Sequence, residues 1–266
     1  MIITGIRELH AQYDNLSAGD IFVGSVSLKN LKQTVLIDLL ERGIVCIPSA
    51  LSQVLNSSKV AQAFVYQKWM IPHTMAIQRR ADLLDAITSY DRQGITSVVT
   101  KQDRMHCGHG VRRWDSMETV YNILGFSDSA YPFVLQPCLA KFEDVRVIII
   151  GDYVEAYIRR NPHNFRNNLS AGGKGRPYKL DTHCRQLCCS AMERGKFPFA
   201  HIDLIILDNG EQYLSEIALN GGIRGAGISR QELKRKKQEL LQNSAHRIVN
   251  SNRPKKLKID YARNQS

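Results

Sequence analysis

Apolar residues recur along this chain at two periods, and the changes of period mark its elements. Asp20 to Ser25 (DIFVGS) reads as a strand. Leu28 to Arg42 reads as a helix, with Leu31, Val35, Leu36, Leu39 and Leu40 on one face and a stop at Gly43. Ile44 to Ile47 is a second strand, ended by Pro48, so this stretch predicts a β-α-β unit and a small parallel sheet. A second helix is predicted over Ser49 to Trp69, and Pro72 then opens a loop or edge strand over Met70 to Ile77. Arg79 to Tyr90 is helical, Ser97 to Lys101 extended, Gln102 to Gly110 a polar loop with two glycines, Ser116 to Leu124 helical and Phe133 to Gln136 extended.

The second half reads differently. Val145 to Ile150 and Tyr153 to Ile158 are apolar strands joined by Gly151-Asp152, a hairpin-type turn. Leu187 to Arg194 is a helix. His201 to Leu207 and Gln212 to Leu219 form a second hairpin across Asp208-Asn209-Gly210. Ser229 and Glu232 make a capping box for a last helix, and after about Ala245 a polar, loosely packed tail is expected. The fold class is α/β (α+β): two small α+β lobes behind a short Rossmann-like piece.

Composition narrows the class. With 266 residues, 43% hydrophobic and 23% charged, the chain can bury a sizeable core. No apolar run is long enough for a membrane span, and the N-terminus turns polar too early for a signal peptide, so the expected location is cytoplasmic. The six cysteines lack the spacing of a small secreted domain and are read as reduced. Of the net charge of +11, residues 231–266 supply ten Lys/Arg against three acids. This basic tail could steer an acidic partner or nucleic acid, although only Tyr261 interleaves the charges and no base-stacking surface is indicated.

Three groups of residues carry candidate chemistry. The first hairpin delivers Arg159, Arg160 and Arg166 with Asn167 and Asn168 to one place, which suits an anion: guanidinium forks match phosphate or carboxylate oxygens. Lys101 ends a strand before a glycine-bearing loop, where it can reach a phosphate. Asp203 and Glu216 each interrupt an apolar strand, can project to one face across the second hairpin, and supply the hard oxygens that magnesium needs. His106, Cys107 and His109 have no second cluster at ligand spacing, and a mobile phosphate loop is the better reading of that segment.

The order D-x-R, apolar strand, G-D, second strand, R-R, F-R-x-N and G-G-K over Asp144 to Lys174 resembles the C-terminal half of an ATP-grasp ligase. The branch it resembles is the ribosomal-protein glutamate ligase type, the RimK-like ligases, and the likeness runs from about Leu39 to Ala226. It implies a shortened pre-ATP-grasp domain over residues 1–75, an N-terminal lobe with the phosphate loop over 76–130, a C-terminal lobe over 131–245 and a basic tail over 246–266. It also implies a nucleotide site made of Lys59, Lys101, Gly108, Gly110, the hinge Gln136-Pro137-Cys138-Leu139, Asp144, and Arg166-Asn167-Asn168. Arg146, Arg160 and Arg166 are its candidate catalytic residues, and Asp203 and Glu216 its metal ligands. The family's third ligand, an asparagine, is Ala218 here; Asn220, on the same face of an extended strand, is the substitute donor to test.

The activity this implies is ATP-dependent ligation of a carboxylate to an amine through an acylphosphate, with Mg²⁺ (or Mn²⁺ in its place). The substrates would be small molecules or peptides, one of them an amino acid added to a peptide or protein. Homo-oligomers are an expectation by analogy. The rivals are a catalytically impaired nucleotide-binding scaffold, which Ala218 and Pro137 favour, a nucleic-acid or ribosome-associated protein acting through its tail, and a kinase that stops at phosphoryl transfer.

Overall fold

The structure is a computed structural model that describes residues 1–28, 30–105, 108–162, 165, 167 and 173–250. It begins with β1 (Ile2–Thr4), α1 (Gly5–Gln12), β2 (Ile21–Val23), α2 (Lys32–Glu41) and β3 (Val45–Ile47). The three strands form a parallel sheet in the order β1-β2-β3, with the expected β-α-β unit over its second and third strands. β1 and α1 are not visible in the pattern, because β1 is three residues long and α1 fully buries only Leu9.

The helix expected over Ser49 to Trp69 is two, α3 (Ala50–Leu55) and α4 (Lys59–Val65), followed by a 3-10 turn at Gln67–Trp69. Asn56-Ser57-Ser58 breaks it. The Ser58 hydroxyl accepts from the Ala61 N–H and starts a new helix, as short polar side chains do at N-caps.

The next elements are β4 (Met75–Ile77), α5 (Arg80–Arg92), β5 (Val98–Gln102), β6 (Val111–Trp114), α6 (Met117–Leu124) and β7 (Phe133–Pro137). Their four strands make an antiparallel sheet ordered β4-β7-β5-β6, which packs on Leu83, Ala86 and Tyr90 of α5 and Val120 of α6. β8 (Glu143–Ile150), β9 (Tyr153–Arg160), β10 (Lys174–Pro177), α7 (Thr182–Gly195), β11 (Phe199–Ile206), β12 (Gln212–Ala218) and α8 (Arg230–Asn250) complete the chain. The larger sheet runs β10-β9-β8-β11-β12, antiparallel throughout.

α7 starts five residues earlier than expected because the Asp181 carboxylate caps it, accepting from the Cys184 N–H. Cys184 and Cys188 lie in the core beneath the larger sheet, and burial pushes the Cys184 thiol up to about 12. α8 also outlasts its prediction. It continues to Asn250 because Leu241, Ala245 and Ile248 pack against Ile21, Val23 and Ile47 of the N-terminal sheet. Residues 251–266, most of the basic tail, lie outside the described residues.

β12 is an edge strand, and the helices before the smaller sheet cover that edge. The buried Gln62 side chain of α4 accepts from the Ile217 N–H at 2.9 Å, and its amide donates to the Ile217 carbonyl at 2.9 Å and the Leu55 carbonyl at 2.7 Å. One side chain thus does what a sixth strand would do. Asn56 extends the pairing by accepting from the Leu219 N–H at 2.7 Å. An open edge would invite foreign strands, and buried peptide groups without partners are costly. Gln62→Met keeps the volume and strands the Ile217 N–H and carbonyl, while the Leu55 carbonyl still accepts from the Ser58 N–H, so it is expected to lower the unfolding free energy by about 2–4 kcal/mol. Urea unfolding measures this; a loss below about 0.5 kcal/mol would show that water replaces the amide.

Candidate active site

A cleft of about 1070 Å³ separates the smaller sheet from the larger one. Side-chain alternation on the larger sheet explains its floor. Val145, Val147, Ile149, Ala200 and Ile202 point to the α7 side and form the core. Their neighbours in sequence point the other way, and there the register places Arg146 opposite Asp203, Asp203 opposite Glu216, and Asp144 opposite Arg159.

These side chains form one ion-pair network. Arg146 holds Asp203 with two parallel bonds, Nε to Oδ1 at 2.7 Å and Nη2 to Oδ2 at 2.8 Å. Arg159 reaches the same carboxylate, Nη2 to Oδ2 at 2.9 Å, and also donates through Nε to Asp144 Oδ1 at 2.9 Å. Arg159 is only 6% exposed and Asp203 13%. Burial alone would raise the Asp203 carboxyl, but Arg146 and Arg159 outweigh it and hold the group well below the usual carboxylate range. Asp144 shares one arginine with Asp203; burial raises its carboxyl despite Arg159.

Two lysines meet this floor from the other side. Lys101, at the end of β5, donates to Ser215 Oγ at 3.1 Å. Burial lowers its pKa, Lys59 adds to the effect, and Glu216 opposes it. Lys59 stands 3.5 Å from Glu216 Oε1 and also donates to the Met105 carbonyl in the loop after β5. Asp103 ties that loop to α4, accepting from Ser58 Oγ at 3.0 Å and the Val60 N–H at 3.1 Å. Among the described residues lining the cleft, eight are Lys or Arg and five are Asp or Glu, so it favours anions.

Most of the residues singled out from the sequence come together here. Lys59, Lys101, Gly108 and Gly110 line one end of the cleft, with Asp203 and Glu216. Gln136, Pro137, Cys138 and Leu139 line the hinge, and Asp144, Arg160 and Asn167 the side of the larger sheet. The Cys138 N–H is taken by the Ser97 carbonyl at 3.0 Å; the Leu139 N–H has no partner among the described residues.

Two of the candidate residues are not in the lining. Arg146 is not among the residues lining the cleft: three of its five N–H donors go to Asp203 and to the Gly222 carbonyl, the latter at 3.0 Å. Asn220 is absent from the lining, because its Oδ1 accepts from Lys237 Nζ at 3.1 Å beyond the end of β12. Arg166 and Asn168, together with His106 and Cys107, lie outside the described residues. Arg159, read from the sequence with Arg160 and Arg166 as an anion-facing arginine, is instead paired with Asp144 and Asp203. The two-residue turn at Gly151-Asp152 already aligned it with Asp144, since pairing outward from that turn places 159 opposite 144.

A family model, the RimK-like ATP-grasp domain, matches residues 55–238. The chain belongs to the RimK-like ATP-grasp family. Membership places it among ATP-dependent carboxylate–amine ligases. No curated protein sequence matches it. Solved structures agree on the fold. D-alanine–D-alanine ligase from Bacillus anthracis complexed with ATP superposes with a TM-score of 0.62 at 15% identity, covering 92% of this chain and 84% of that one. The ATP-grasp ligase PsnB complexed with precursor peptide PsnA2 and AMPPNP gives 0.56 at 14% identity, covering 84% and 78%. The ADP complex of PurK, N5-carboxyaminoimidazole ribonucleotide synthetase, gives 0.57 at 14% identity, covering 77% of this chain; the RimK-like chain spans only 55% of PurK's length.

ATP-grasp ligases use ATP and Mg²⁺, and the donors here fit such an ion. Mg²⁺ is commonly held by one or two carboxylates, with substrate phosphates and water completing the shell. Asp203 and Glu216, opposite each other in register, supply two. No third His, Cys, Asp or Glu joins them among the described residues, and Ala218 has no donor atom. In this RimK-like chain no helix among the described residues is long and apolar enough to cross a membrane.

The same face carries His201, 3% exposed. Burial, then Lys237 and Arg146, push it down to about 3 from an ordinary 6.5. Between those values the unfolded chain binds a proton that the folded chain does not. Stability therefore rises with pH across this window and is fully present above it. The contribution lost between pH 7 and pH 4 is on the order of 3 kcal/mol. Urea midpoints against pH should fall less steeply towards acid in His201→Leu than in the wild type; parallel curves would contradict the assignment.

Proposed function

We propose that the chain activates a carboxylate with ATP and joins it to an amine, adding an amino acid to a peptide or protein. The observation that carries this reading is the half-buried Lys101 ammonium beside the opposed Asp203 and Glu216, in a cleft that the hinge residues Gln136 to Leu139 also line. Lys101 and Lys59 would neutralise the phosphates of ATP, and the Leu139 backbone would meet the adenine. The pair Asp203 and Glu216 would hold Mg²⁺, which, when bound, supplies Lewis-acid charge at the phosphoryl oxygens.

The arginines divide their work. Arg146 and Arg159 keep Asp203 ionised and fixed, whereas Arg160, exposed at the end of β9, is free to meet substrate oxygens, with Arg166 proposed beside it. The loop bearing Gly108 and Gly110 would close over the phosphates and exclude water from the acylphosphate. The basic rim (Arg113, Lys141, Lys174, Arg176) suits an anionic substrate, and PsnB, a neighbour in fold, is complexed with a precursor peptide. The C-terminal tail is proposed to hold an acidic partner.

In this reaction a carboxylate oxygen attacks the γ-phosphorus and ADP leaves. The amine then attacks the acyl carbon, and phosphate departs with that oxygen while the amine loses a proton. With ¹⁸O-labelled carboxylates of amino acids and short peptides, paired with unlabelled amino acids, one ¹⁸O should appear in the phosphate, together with an amide and stoichiometric ADP. ADP with a stable acylphosphate and no amide would identify a kinase. Tight nucleotide binding without turnover across the panel would favour the impaired scaffold, the second reading that Ala218 supports.

A further inference from the structure

On the face of the larger sheet that carries Asp203 and His201, away from the cleft lining, lies a buried cation with no carboxylate partner among the described residues. Lys237 of α8 is 9% exposed, and among the described residues no carboxylate pairs with it. Its ammonium donates to the Leu219 carbonyl at 2.6 Å and to Asn220 Oδ1 at 3.1 Å, lies 3.2 Å from His201 Nε2, and sits 4.7 Å from the centre of the Phe199 ring. Taking an ammonium out of water against neutral acceptors alone is costly, and a lysine in a purely structural role is easily replaced by an apolar residue.

The turn that Lys237 grips follows directly on the strand of Glu216. Leu219 and Asn220 lead into Gly221, where a Cβ would lie 2.9 Å from His201 Nδ1, so the backbone is pressed against the histidine. Gly222 comes next, and its carbonyl receives Arg146 Nη1 at 3.0 Å and the Tyr157 hydroxyl at 3.3 Å. A continuous path of bonds therefore runs from Lys237 through this turn to Arg146 and on to Asp203. Farther along, Glu155 fixes the end of the loop by accepting from the Gly227 and Ile228 N–H groups.

We infer that Lys237 is a positioning residue for the ligase reaction: as a fixed internal cation it organises the turn after Glu216, and Asn220 serves as its partner and not as a metal ligand. The inference rests on the ligase reading for its kinetic consequences and on geometry for the rest. It separates Asn220 from Asp203 and Glu216 in function, and it makes α8, which does not line the cleft, part of the apparatus that aims Arg146.

The test uses the full chain with Lys237→Met, Asn220→Ala and the double variant. ATP turnover and half-saturating Mg²⁺ are measured well below each melting temperature, and amide exchange is followed over residues 219–227. Lys237→Met should lower kcat at least tenfold with the KM for ATP and the half-saturating Mg²⁺ changed less than twofold. Asn220→Ala should lower kcat about threefold, and the double variant should match Lys237→Met. Exchange over the turn should quicken in all three variants. A kcat unchanged in Lys237→Met, or a half-saturating Mg²⁺ raised severalfold in Asn220→Ala, would overturn the inference. If the wild type turns over no ATP, the ligase reading fails separately, and exchange decides alone: unchanged protection of 219–227 in Lys237→Met would sink the role of the lysine. Should Lys237→Met fail to fold, the milder Asn220→Ala carries the same comparison.

Discussion

The site depends on one constraint: Asp203 must stay ionised in a place where burial works against it. Two arginines solve this together. Arg146 takes both carboxylate oxygens in a parallel fork, Arg159 takes one of them again, and Asp144 balances the second guanidinium. Two positive and two negative groups sit close to neutrality. Removing any one strands a buried charge, at a cost of about 3–5 kcal/mol. This arrangement explains why the D-x-R strand is placed beside the strand of Asp203: β8 and β11 are neighbours, so Arg146 and Asp203 are opposite in register. It also engages Arg146, three of whose five N–H donors are used on Asp203 and the Gly222 carbonyl.

A second set of contacts brings Lys59 and Lys101 to that floor. Gln62 and Asn56 close the edge of β12, and Lys59, one turn before Gln62 on α4, thereby arrives at Glu216. Asp103 then ties the loop after β5 to the start of the same helix. Lys101 closes the circuit through Ser215. The two sheets meet at the cleft because polar side chains pair with backbone and with each other across it, and desolvation there lowers the pKa of Lys101.

Much of this was legible in the chain. Alternating apolar runs marked β8, β9, β11 and β12, the Gly151-Asp152 and Asp208-Asn209-Gly210 turns set their pairing, and a carboxylate inside each of two apolar strands pointed to Asp203 and Glu216. The same turn arithmetic would have shown that Arg159 stands opposite Asp144. The rest depends on contacts between residues distant in sequence. Nothing local to Gln62, Asp103 or Lys237 says that each will find a backbone group or a partner more than fifteen residues away. The break at Ser58 and the extension of α8 have the same origin: a cap shared with a distant loop, and a helix end packed on the N-terminal sheet. Asn220 kept the right spacing for a ligand, yet the strand ends at Ala218 and the turn carries it to Lys237.

The central claim is that the opposed carboxylates and the half-buried lysine together form a magnesium-nucleotide site. Calorimetry of Mg-ATP binding to the wild type, Lys101→Ala and Glu216→Ala tests it most directly. The account predicts micromolar binding that requires magnesium in the wild type and weakens at least tenfold in both variants. Binding that is absent in the wild type, or that persists unchanged in either variant, would contradict it.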